Sequence, residues 1–184
     1  MDKSKVKKHV KGLLEAIGED TKRKELLKTP DRVADMFEKI LSSGKKPIQE
    51  IFQTTHDIEH DEMVLVKDIP FYSLCEHHLM PFFGKCHIAY IPKNNKIIGI
   101  GRIVELVNVM SSRLQIQERL TTEMCKLIME KLNPKGAGVI IQARHLCLEM
   151  MSSQHIGTEV MTSALHGLFR NDIKTREEFL KLIR

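Results

Sequence analysis

The sequence predicts an α+β fold built on an antiparallel sheet. Three observations lead there. Apolar residues recur at helical spacing in two blocks, one before residue 45 and one between 102 and 132. Short runs rich in Val, Ile, Phe and Tyr fall between and after those blocks. The resulting order is helices, strand pair, helices, strand pair, helix, which is not the strict strand–helix alternation of a parallel sheet.

Taken in order, Val6, Val10, Leu13, Leu14 and Ile17 form a helical stripe over residues 3–17, stopped by Gly18. A second helix is expected from Thr29-Pro30-Asp31, with Thr29 as N-cap, Pro30 in the first helical position and Asp31 in the first turn. Val33, Met36, Phe37, Ile40 and Leu41 are its apolar stripe, and Gly44 follows. Such stripes are core packing or a partner-helix surface. Residues 1–61 therefore read as an N-terminal helical extension and linker, and 62–184 as the domain that carries the chemistry. In the linker-like passage 45–61, His56 and His60 lie near Asp57, Glu59, Asp61 and Glu62; they read as solvated loop histidines rather than as a metal site.

Strand patterning begins at Met63–Val66 and Ile69–Tyr72. The segments His87–Pro92 and Ile97–Ile100, around the polar turn Lys93-Asn94-Asn95-Lys96, carry a hairpin signal. His87, beside Cys86, reads as a structural or surface histidine more readily than as a spare ligand. Two helices follow. Arg102–Ser112 carries Ile103, Leu106, Val107 and Met110; the next, from near Gln115 to Leu132, carries Ile116, Leu120, Met124, Leu127 and Ile128 and is ended by Asn133-Pro134. A strand is expected over 138–150, another near Val160–Phe169, and a last helix opened by a capping box of Thr175 and Glu178.

Composition narrows the class. The chain has 184 residues, enough for one domain with a helical extension. No stretch has the length and apolarity of a membrane span, and the charged start lacks the apolar core of a signal peptide. The net charge of +5 is mild. Lys3, Lys5, Lys7 and Lys8 read as a solvated helix face, because no aromatics are interleaved to stack bases; no nucleic-acid partner is expected. The four cysteines, Cys75, Cys86, Cys125 and Cys147, do not form a disulfide framework, which points to a reducing, cytoplasmic compartment. Cys86 and Cys125 read as packed thiols.

The chemistry concentrates in Phe71–Gly84. Cys75 and His78 have a Cys-x-x-His spacing that can place both ligands on one cation from a tight turn, and zinc favours thiolate with imidazole. His77 sits between them as a free imidazole suited to acid–base work near neutral pH. A turn with a buried Cys and surface histidines competes with this reading. The second stretch, Arg144-His145-Leu146-Cys147-Leu148-Glu149, changes the balance. If it continues the apolar run Gly138–Ile141 as a strand, alternation places His145, Cys147 and Glu149 on one face. Cys75, His78 and Cys147 then make three ligands with one position open, the arrangement of catalytic zinc rather than structural zinc. His77 and His145 would flank the open position.

These stretches, with Pro81-Phe82-Phe83-Gly84, Gln115-Ile116-Gln117-Glu118-Arg119-Leu120, Thr162-Ser163-Ala164 and Lys174–Leu180, resemble GTP cyclohydrolase I of type I, in order and spacing along nearly the whole chain. The resemblance implies the tunnelling fold (T-fold), in which sheets of several subunits join into a barrel and two five-membered rings make a homodecamer with active sites between subunits. It also implies zinc on Cys75, His78 and Cys147, with His77 and His145 as catalytic acid–base groups. Gln117, Glu118 and Arg102 are implied as substrate-binding, Glu118 receiving the donor edge of guanine. The implied reaction opens the guanine imidazole ring of GTP, releases formate and forms 7,8-dihydroneopterin triphosphate.

Two positions depart from the family pattern. Glu105 stands where an arginine is usual, three residues after Arg102, and Met151 stands at a second arginine position. Both belong to the family's triphosphate pocket, where arginine forks grip phosphate strongly. Two further readings follow as alternatives: ring opening of GMP, guanosine or another guanine compound with fewer phosphates, and a non-catalytic zinc module that binds a pterin or a protein.

Overall fold

The computed structural model describes residues 1–53 and 55–184, apart from the side chains of Thr55 and Asp57. It has two compact units, Met1–Lys45 and Lys46–Arg184. The first holds α1 (Lys3–Ala16) and α2 (Thr29–Leu41). Its only fully buried side chain is Ala34; Val6, Val10, Leu14, Val33, Phe37 and Ile40 of the two apolar stripes are half-buried, and ion pairs lie around them. Lys3 pairs with Asp35 at 2.9 Å and with Glu38 at 2.6 Å, and Lys7 pairs with Asp31. Part of the expected solvated lysine face is thus turned to the acids of α2. Thr29 is the first residue of α2 and not its cap. Lys28 occupies the cap position without a side-chain bond, and Pro30 supplies the preset φ of the first turn.

In the second unit a five-stranded sheet runs in the order β5-β2-β3-β6-β7. Its strands are β2 (Val64–Cys75), β3 (Pro81–Ile91), β5 (Leu114–Gln115), β6 (Gly136–His145) and β7 (Glu159–Gly167). Every pairing is antiparallel except the two-residue parallel bridge between β2 and β5. The predicted α+β class with an antiparallel sheet is what forms. One face is covered by α4 (Ile100–Ser111) and α5 (Gln117–Leu132), whose apolar stripes, Ile103, Leu106, Val107 and Met110, then Leu120, Met124 and Ile128, pack on Phe82, Cys86, Ile88, Val139 and Ile141. Each such side chain contributes roughly 1.5–3 kcal/mol of transfer free energy. On the other face α7 (Leu168–Asn171) and α8 (Ile173–Leu182) bring Phe169 and Phe179 onto Ala89 and Ile140. Gly138 makes room for them: a Cβ there would lie 2.9 Å from Phe179 and 3.0 Å from Phe169. Among the described residues no helix is long and apolar enough to cross a membrane.

Four expectations need correction. The hairpin around Asn94-Asn95 does not form. Both edges of β3 are already taken by β2 and β6, so β4 (Lys96–Ile98) pairs instead with β1 (Thr55–Asp57). The supposed linker 45–61 therefore holds structure, the short α3 (Ile48–Ile51) and β1, with His56 and His60 exposed; Thr54 lies outside the described residues. The strand expected to reach residue 150 ends at His145, and Leu146–Glu149 is one helical turn, α6. Finally, Asp172 caps α8 by accepting from the Thr175 N–H at 2.8 Å, so Thr175 and Glu178 form no capping box.

β2 also carries a bulge between Val66 and Ile69, with Asp68 at φ 58°. The Asp68 N–H donates to His87 Nδ1 at 3.2 Å. His87 is buried, and burial lowers its pKa. It is a structural histidine that holds the bulge.

Candidate active site

The site is assembled by three strand ends. β2 finishes at Cys75 and the chain turns back at once. The Leu79 N–H donates to Cys75 O at 2.8 Å, Leu79 takes φ 55°, and the Cys75 N–H donates to Met80 O at 2.8 Å. This tight turn folds His78 over Cys75, with Nδ1 3.8 Å from Sγ. β3 then runs beside β6, and Phe82 lies opposite His145. The turn of α6 carries Cys147 back toward the end of β2. The ligand atoms of Cys75, His78 and Cys147 all fall within 4.8 Å of one another. Tetrahedral zinc with sulfur at ~2.3 Å needs its ligand atoms about 3.5–4 Å apart, so the donor set fits such an ion with small adjustments. Burial, then the adjacent Cys75, pushes the Cys147 thiol up.

A cavity of about 250 Å³ opens on this group. Cys75, His77, His78, Gln117, Glu118, His145 and Cys147 all line it. The two imidazoles named from sequence thus share one cavity with the three ligands and the carboxylate. His77 is exposed, whereas His145 is partly buried, stacked on Phe82 with ring centroids 4.7 Å apart and planes at 3°. Burial pulls the His145 pKa down, opposed by the charge of Glu118.

Gln117 is not an open substrate amide. Its Nε2 donates to Ile141 O at 3.2 Å, Val160 O at 2.9 Å and Thr162 Oγ1 at 3.1 Å. Those bonds fix the amide, so Oε1 faces His145 Nε2 at 2.7 Å and accepts from it. The neutral His145 ring then carries its proton on Nε2 and leaves Nδ1 as the acceptor.

Three other sequence-selected residues stay outside this cavity. Arg102 and Glu105 lie on α4, where Glu105 accepts from Arg102 at 2.8 Å and from Lys46 at 3.1 Å. Met151 follows α6 and is exposed. Glu149, expected beside Cys147, is turned away by the helical turn and takes both arms of Arg144, at 2.8 and 2.6 Å. Sequence reasoning missed one pair altogether. Glu76, inside the ligand turn, is gripped by both arms of Arg119 on α5, which holds its carboxyl below the usual carboxylate range. No spacing signal marks that pair, since the two residues are brought together only by β2 lying against β5.

A family model described as GTP cyclohydrolase I matches residues 6–184. Among curated proteins, "GTP cyclohydrolase 1" of Caldanaerobacter subterraneus is 49% identical over 100% of this chain and 97% of its own length. Proteins of the same name from Thermoanaerobacter pseudethanolicus and Clostridioides difficile are 47% and 45% identical, again over 100% of this chain and 97% of theirs. A solved structure, the archaeosine synthase QueF-Like in the apo form, is similar with a TM-score of 0.44 and 21% identity over 57% of this chain and 93% of that one. The antiparallel sheet with its helices is the T-fold that the resemblance implied. On a match running essentially from end to end, and with relatives this similar at full coverage, the chain belongs to the GTP cyclohydrolase I family.

Proposed function

We propose that this protein is a zinc-dependent GTP cyclohydrolase that opens the guanine imidazole ring, releases C8 as formate and forms 7,8-dihydroneopterin triphosphate for pterin and folate synthesis. The observation that carries this reading is the convergence of three metal-type ligands, two imidazoles and the Glu118 carboxylate on one cavity. Cys75, His78 and Cys147 hold the ion in this reading. Zinc, when bound with one open position, lowers the pKa of its water and supplies hydroxide near neutral pH.

The chain's own residues do the rest. Glu118, an acceptor-only group, takes the N1–H and 2-amino donors of guanine and so selects a purine with that edge. His77 and His145 carry protons to and from the ring nitrogens and sugar carbons as the imidazole ring opens and the ribose rearranges. Gln117 keeps His145 in one tautomer, which supports a positioning role rather than direct substrate contact. The cavity is smaller than the roughly 300–1,000 Å³ usual for pockets that enclose a drug-sized ligand. That supports a site completed by neighbouring subunits of a homodecamer, with the phosphates reaching groups such as Arg102 beyond this cavity. The four free cysteines support a cytoplasmic location.

The test is direct. Purified protein loaded with zinc is incubated separately with GTP, GMP and guanosine, and formate release and pterin fluorescence after oxidation are followed. Turnover on GTP that disappears with a chelator and returns with zinc is expected. Zinc bound without turnover of any of the three would overturn the proposal.

A further inference from the structure

The turn that carries Cys75, His77 and His78 does not rest on the sheet alone. Its second residue, Glu76, is fastened twice to the entry of α5. The Glu76 N–H donates to Gln115 O at 3.1 Å, continuing the bridge in which Cys75 pairs with Gln115. The Glu76 carboxylate takes Nη1 of Arg119 at 3.3 Å and Nη2 of the same guanidinium at closer range. Arg119 is itself held: Nε and Nη2 donate to Gln115 Oε1 at 3.3 and 3.2 Å. Gln115 in turn is buried and donates from Nε2 to Met110 O at 2.9 Å. The chain of bonds thus runs from the ligand turn to the end of α4.

The neighbours of Arg119 give this arrangement its meaning. Gln117 holds His145, Glu118 lines the cavity and Arg119 holds the ligand turn. Three consecutive residues of one helical turn therefore mount the two histidines and the carboxylate on a common rigid piece. We infer that Arg119 is a positioning residue, which through Glu76 sets where His77 and His78 stand relative to Glu118. This rests on the metal and substrate assignments proposed above.

Both side chains of the pair are partly exposed, and exposed ion pairs add little to stability. Loss of the pair should leave the fold standing and loosen the turn. Partners of this kind commonly cost about 10- to 100-fold in metal affinity or activity when removed. The experiment compares wild type, Arg119→Ala, Arg119→Lys, Glu76→Gln and the double variant Arg119→Ala/Glu76→Gln. Zinc affinity is read by chelator competition, the ligand field by the visible spectrum of the cobalt-substituted protein, and kcat and KM on GTP separately.

The expected result is a drop of about 10- to 100-fold in zinc affinity or kcat for Arg119→Ala, with a changed cobalt spectrum. Arg119→Lys should restore part of it, and the double variant should be no worse than the poorer single. Unchanged affinity, spectrum and kcat with a raised KM for GTP would overturn the inference and make Arg119 a substrate contact. Additive losses in the double variant would also overturn it. Wild type that binds no zinc and turns over no GTP would instead sink the underlying assignment.

Discussion

The sheet uses the same two residue types in two different ways. In its interior, Cys86 of β3 and Cys125 of α5 are fully buried among aliphatic side chains. Burial drives both thiols far up, Cys125 to about 12. At its end, Cys75 and Cys147 sit beside His78 and open on a cavity. The histidines divide alike: His87 accepts from a backbone N–H in the bulge, while His145 faces the cavity against Gln117. Residue type alone does not make a ligand. What separates the two regions is where the strands stop, because only there does a side chain meet both a second ligand and open space.

Four substitutions would break or sharpen this contrast. The largest effect is expected from Cys147→Ala, which removes a proposed thiolate. Catalytic efficiency should fall by more than the ~100-fold that outer partners of a metal site cost. Bound zinc, measured by atomic absorption, should fall with it. Next comes His145→Ala, for which kcat should drop about 10²- to 10⁴-fold while zinc content stays at the wild-type level; loss of zinc as well would assign His145 to the metal instead.

The interior partners should behave oppositely. Cys86→Ala should cost about 1 kcal/mol in urea unfolding, through lost packing, and leave kcat and zinc content as they were. His87→Gln is the mildest. Burial holds the native His87 pKa below its ordinary value near 6.5, so the unfolded chain takes up a proton that the folded chain refuses. His87 therefore favours the native state fully above about pH 6.5 and loses that contribution as the pH falls toward the lowered native value. Glutamine is polar and does not titrate. Urea midpoints at pH 7 and at pH 5.5 should lie closer together in His87→Gln than in wild type.

Much of this was legible from spacing. The Cys-x-x-His turn and the helical stripes of α4 and α5 depend on local spacing; the structure forms that turn and buries those stripes. What escaped depends on pairing at a distance. The Asn94-Asn95 turn has hairpin chemistry, but sequence does not reveal that both edges of β3 are occupied. Strand alternation over 138–150 does not hold past His145. The helical turn after His145, and not the pleat of a strand, brings Cys147 to Cys75 and His78 and sends Glu149 to Arg144. Gln117 was named as a substrate contact through the family resemblance carried by Gln115–Leu120. The acceptors that fix its amide lie on β6 and β7, far along the chain, and no local spacing shows them.

The order β2-β3-β6 has one more consequence. Cys75 ends one outer strand of this trio and Cys147 follows the other, so the two thiols straddle β3. An ion bridging them is a rivet across three strands. It would be set fully only after β6 has docked, since a chain with β6 still loose offers Cys75 and His78 but not Cys147. On the proposed metal assignment, full coordination would report that the sheet is complete. On that assignment the finished sheet offers more ligands than the open chain, so the melting temperature should climb with free zinc concentration.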